Sequence, residues 1–100
     1  MPTYALYVAL RAERPLDEAA VDDLAVVLRP EDDERCMWRD ERDDALLRVS
    51  VDCSAGDLEA ALDLGHDLAE EAVDLSSFAL AVEEVLAMDD EQQLVWRAKP

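Results

Sequence analysis

Thr3 to Arg11 alternates in the period of a strand, with Tyr4, Leu6, Val8 and Leu10 on one side and Ala5, Tyr7 and Ala9 on the other. Both sides are apolar, which predicts a central position in a sheet. The pattern then changes period. Leu16, Ala20, Leu24, Val27 and Leu28 recur at helical spacing behind Asp17, a side chain that can cap the first turn, with Leu16 as a staple onto Val21. Pro30 predicts the end of this helix near Leu28 or Arg29.

Glu31 to Glu34 reads as an acidic loop, Arg35 to Arg39 as a short strand, and Asp40 to Asp44 as a charged turn leading into a strand over Ala45 to Asp52. A turn symmetric about Arg42 sets Met37 opposite Leu47 and Trp38 opposite Leu46, so that Trp38 points away from the helices. Ser54-Ala55-Gly56-Asp57 has the form of a capping box with Asp in place of Glu, and opens a helix to about Val73. Its apolar arc runs through Leu58, Ala61, Leu62, Gly65, Leu68, Ala69 and Ala72. Gly65 there predicts a close approach to the sheet, and Leu64 is left in water.

Residues 75–88 fit either period, since Phe78, Leu80 and Val82 alternate while Phe78, Ala81, Val82, Val85 and Leu86 suit a helix. A strand, bulged at Glu83-Glu84, is preferred because it pairs the exposed edge of the first strand. Asp89 is then expected to cap a short C-terminal helix containing Leu94, Val95 and Trp96.

The order strand, helix, strand, strand, helix, strand resembles the ferredoxin-like βαββαβ plait. This resemblance implies a single α+β domain over residues 1–100, with an antiparallel sheet, two helices on one face and the short C-terminal helix. It is topological and implies no activity. The size and the opening Met-Pro-Thr-Tyr also resemble those of small proteins of high-GC bacteria, a likeness that brings no functional residues.

Charge changes the picture more than composition does. The chain has 100 residues and 51% apolar content, enough for a core, yet carries 26 acids against 9 bases for a net charge of −17. Ile and Asn are absent and Lys99 is the one lysine, the usage of a GC-rich genome, although salt adaptation also enriches acids over lysine. Between Val49 and Trp96 there are thirteen acids and no Lys or Arg. A surface of that sign repels phosphates, which argues against nucleic acid and anionic membranes as partners. The longest apolar run, Tyr4 to Leu10, is far below the ~18 residues that cross a bilayer, and the N-terminus has no leader pattern, so the protein is read as cytoplasmic.

Candidate chemistry is sparse, and no catalytic, cofactor-binding or metal-binding residue is assigned. His66 is the only histidine, and Asp63-x-x-His66 lacks the second histidine and facing carboxylates of a di-metal site. Cys36 and Cys53 match no metal or redox spacing and read as reduced thiols. The acidic clusters lack the ligand pattern of a calcium loop, and no phosphate-binding glycine motif is present.

The sheet face turned from the helices is more informative, because it gathers Tyr7, Arg11, Cys36, Trp38, Leu46 and Arg48 in an otherwise anionic chain. Tyr, Trp and Arg are favoured at interaction hot spots. Tyr7, Arg11, Trp38, Leu46 and Arg48 are therefore the candidate interaction residues, unless the C-terminal segment folds back over them. The leading expectation is a non-enzymatic interaction domain, a homodimer associating through this face or through exposed Leu64 and Val26. An acidic mimic of nucleic-acid charge that occupies a basic protein is the alternative, and a small dimeric plait enzyme using His66 or Tyr7 the weakest.

Overall fold

The computed structural model describes residues 2–28, 35–76 and 79–98. The elements in chain order are β1 (Thr3–Ala12), α1 (Glu18–Leu28), β2 (Arg35–Arg39), β3 (Leu46–Ser54), α2 (Leu58–Leu75), β4 (Leu80–Met88) and β5 (Gln93–Arg97). The five strands form one sheet in the order β2-β3-β1-β4-β5, with every neighbouring pair antiparallel. The α+β class and the two helices match the expectation. Strand count and order depart from an ideal βαββαβ plait, because a fifth strand stands where the C-terminal helix was expected.

That fifth strand follows from the chemistry of Asp89. Its carboxylate accepts the N–H groups of Glu91 and Gln92, and its own N–H donates to the Gln92 carbonyl. An aspartate that gathers the next backbone amides can open a helix or close a tight turn, and here it closes a hairpin. The chain then returns along β4, pairing Leu86 with Val95 and Val85 with Trp96. A helix of so few residues has little intrinsic stability, whereas the free edge of β4 offers backbone partners at once.

The helices cover the face formed by Leu6, Val8 and Leu10 of β1, which register with Val51, Val49 and Leu47 of β3. On the α2 side of the interface the fully covered positions are Ala61, Gly65, Ala69 and Ala72. Bulk comes from the strands, and the small stripe lets the helix sit down on them. At Gly65 the approach is so close that an added Cβ would stand 2.7 Å from Cγ1 of Val85. The expected role of Gly65 holds.

Other local expectations need correction. The cap of α2 is Asp57, whose carboxylate accepts the Ala60 N–H at 2.8 Å, while Ser54 is the last residue of β3. Asp17 caps α1 in the same way through Ala20, as expected. The β2–β3 hairpin is displaced by two residues from the symmetric turn: Trp38 pairs with Arg48, Met37 with Val49, and Cys36 with Ser50. Asp40 causes the shift. Its carboxylate takes the Arg42 and Asp43 N–H groups, and its own N–H bonds the Leu46 carbonyl, which lengthens the turn.

β4 begins at Leu80 rather than at Leu75, which ends α2. The bulge lies where expected, for Ala9 pairs with Glu84 and Leu10 with Val82, leaving Glu83 between them. The acidic loop Glu31 to Glu34, the helix stop at Arg29-Pro30 and the placement of Phe78 lie outside the described residues. No helix among the described residues is long and apolar enough to cross a membrane.

Candidate functional site

The face of the sheet opposite the helices carries the candidate residues, and the strand registers order them into rows. One row crosses all five strands as Trp38, Arg48, Ala9, Glu84 and Arg97. The next reads Cys36, Ser50, Tyr7, Leu86 and Val95. Because side chains alternate along each strand, every member of both rows projects to this one side.

The five expected residues meet there, with one difference in exposure. Tyr7 is 42% and Trp38 40% exposed, whereas Leu46 is only 5% exposed and is a supporting side chain, not part of a displayed patch. Ala9 is as buried as Leu46, and a shallow depression over it is lined by Tyr7, Trp38, Arg48 and Glu84. Val95, 38% exposed, extends the apolar surface onto β5, next to partly buried Leu86 and Met88. This extension was missed in the sequence because a helix was expected there, although Gln93-Leu94-Val95-Trp96-Arg97 does alternate.

Arginines organise the rest of the face. Arg11 donates to Asp43 at 2.5 Å through Nη1 and grips Glu83 through Nε and Nη2 at 2.9 and 3.1 Å. The bulge makes this possible, since it brings consecutive acids, Glu83 and Glu84, to the same side. Glu84 takes Arg97 at 3.0 Å, and Arg48 bonds Asp40 at 2.7 Å. The pairing holds the Asp43 carboxyl below its usual range, chiefly through Arg11 and then through the Ala45 N–H. Arg48, followed by the Arg42 N–H, does the same for Asp40. Arg11 itself is held more firmly protonated by Asp43 and Glu83. Locally, then, the face is close to charge-balanced.

The opposite surface is not. Glu59, Asp63, Asp67, Glu70, Glu71 and Asp74 are all exposed along α2. No ion pair among the described residues involves them. His66, on the same helix, packs against Trp96 of β5 and thus lies on the helix side of the sheet. Tyr7 is on the other side, so the two groups considered for proton transfer do not share a pocket. The C-terminal segment adds to the sheet edge and leaves the open face uncovered by described residues.

Among the described residues, no three His, Cys, Asp or Glu side chains converge as metal ligands would. Cys36 and Cys53 are free thiols on opposite faces, as their registers with Ser50 and Tyr4 require. A cleft of about 340 Å³ beside the β1–α1 connection is lined by Arg14, Pro15, Leu16 and Ala79, and brings together no acid, base or nucleophile beyond Glu13 and Asp17. The chain matches no family model, no curated protein and no solved structure.

Proposed function

We propose that this protein is an assembly domain that associates with a second copy of itself through the open face of its sheet. The observation that carries the reading is the division of the surface. One side of the sheet holds exposed Tyr7, Trp38 and Val95 among internally paired arginines, and the excess negative charge stands on the helices behind the other.

Aromatic and aliphatic side chains left in water on a flat face gain by mutual burial, at roughly 25 cal/mol per Å² before the costs of association. Two copies meeting at this face keep their acidic helices at the far sides of the assembly. Like-charge repulsion, which opposes association of chains with a charge of −17, is weakest in that arrangement. The strands at the edges, β2 and β5, have five residues each and carry arginines, features that discourage edge-to-edge pairing.

The unpaired acids of α2 support a second reading, capture of a basic protein on the helix side, with attraction that falls as salt rises. Light scattering on wild type, Tyr7→Glu and Leu64→Glu tests the first reading. Wild type and Leu64→Glu are expected as dimers, and Tyr7→Glu as a folded monomer. A monomeric wild type overturns self-association, and a Tyr7→Glu dimer overturns the sheet face as its site.

A further inference from the structure

The row across the sheet has an internal pattern that one symmetry operation matches to itself. From β2 to β5 it reads aromatic, cation, small, anion, cation: Trp38, Arg48, Ala9, Glu84 and Arg97. Ala9 is central and buried, so the row has a low middle and raised flanks.

We infer that the dimer is isologous, with its two-fold axis running close to β1, so that Arg48 of each copy meets Glu84 of the other and Trp38 meets Arg97. This rests on the self-association proposed above and specifies its geometry. A two-fold along the central strand turns the second sheet over and exchanges left for right. Position β3 then faces β4, and β2 faces β5, within the same row. Arg48 therefore gains a carboxylate and Glu84 a guanidinium, in both halves at once. Trp38 offers its ring to Arg97, a favourable stack for a guanidinium. Ala9 faces Ala9, which lets the two sheets close together at the centre.

The second row agrees. There Tyr7 meets Tyr7 on the axis, Leu86 meets Ser50, and Val95 meets Cys36, so that no charge is placed on an apolar group. Arg11, further along the axis, reaches its own copy already enclosed by Asp43 and Glu83. The competing arrangement, a two-fold running across the strands between the two rows, fares worse. It sets Glu84 on Leu86 and Arg97 on Val95, and so covers a pair already made within each chain with apolar groups and adds no ion pair between the copies. Near-aligned packing of two twisted sheets is also the common mode of face-to-face association.

The test uses Arg48→Glu and Glu84→Arg, alone and mixed. In Arg48→Glu each interfacial pair becomes two acids, and in Glu84→Arg two bases. Each variant alone should raise the dimer dissociation constant by about 30-fold or more. Mixed in equal amounts, they should form a heterodimer near wild-type affinity, because both contacts then join an acid to a base, one as the native Arg48–Glu84 pair and the other with its signs exchanged. Both variants remain strongly anionic, so overall charge does not favour the mixed species. Circular dichroism checks that each is folded, and native mass spectrometry counts the species.

A second measurement needs no charge reversal. In a Cys53→Ser, Val95→Cys chain, a short bis-maleimide should join Cys36 of one copy to the new thiol of the other. Within one chain those positions are four strand spacings apart, roughly 19 Å, too far for that linker. Dimers that persist in both charge variants, or that give neither heterodimer nor cross-link, overturn the axis while leaving self-association standing. A monomeric wild type overturns both.

Discussion

His66 of α2 meets Trp96 of β5 edge to face, with ring centroids 4.5 Å apart and planes inclined by 73°. This contact helps to fasten the last strand to the helix layer, because β5 is an edge strand whose one hydrogen-bonded neighbour among the described strands is β4. Trp96→Ala removes the aromatic pair and the apolar cover, and is expected to cost about 2 kcal/mol in urea unfolding. Hydrogen exchange should quicken first at the amides of Gln93–Arg97, the edge strand. Uniform acceleration throughout the sheet would show that β5 is not held separately by this contact.

Gly65 and Val85 should be coupled. Gly65→Ala improves helix propensity by about 1 kcal/mol, but its methyl meets the fully buried side chain of Val85, and overpacking of this kind costs about 1–3 kcal/mol. Crowding wins. A net loss of about 1 kcal/mol is expected for Gly65→Ala, and about 2 kcal/mol for Val85→Ala. The double variant should lose less than the sum, since one methyl fills part of the space the other change opens. Strict additivity in denaturant titrations would contradict a direct clash.

Acid should unfasten the β2–β3 turn. Asp40 and Asp43 are both held below the ordinary aspartate value of 3.8, mainly by Arg48 and Arg11 respectively. Depressed carboxyl groups bind fewer protons in the folded state than in the unfolded one, so their contribution is complete well above that value and is lost as pH falls below it. In wild type, thermal stability should therefore decline below pH 3.8. Asp40→Asn and Asp43→Asn should each start lower at neutral pH and show a shallower decline. Parallel acid profiles for wild type and both variants would contradict the linkage.

The two thiols should differ in rate. Cys36 is exposed, while burial and then nearby Asp52 push the Cys53 thiol up from its ordinary value. A neutral-pH titration with a disulfide reagent should show one fast thiol and one slow one, and Cys36→Ser should remove the fast phase. Raising protein concentration should slow that phase further if copies meet face to face. Mild oxidation should give no internal disulfide, because the two side chains lie on opposite faces.

Placement on a face was legible because it depends only on parity. The β2–β3 register is displaced by two residues from a symmetric turn, which moves Trp38 from Leu46 to Arg48 yet keeps it on the open side, since a shift of two preserves the alternation. Tyr7 and Arg11 follow from the same period in β1, and Gly65 from its place in the apolar arc of α2. The acids of α2 could be read as a solvated stripe from their spacing alone.

By itself, then, the sequence determined the two helices, the first three strands and the side of the sheet on which Tyr7, Trp38 and Arg48 stand, because these depend on local periodicity, whereas β4 fits either period and follows from the open edge of β1. Tertiary structure decided the rest. Asp89 has the same acceptor geometry at a helix cap as in a hairpin, and only the open edge of β4 selects the hairpin and so creates β5. Leu46 has the right parity for display, yet its surroundings bury it. The row from Trp38 to Arg97 joins residues 59 positions apart, and no local pattern encodes it, because hydrogen bonding between distant strands alone brings them into line.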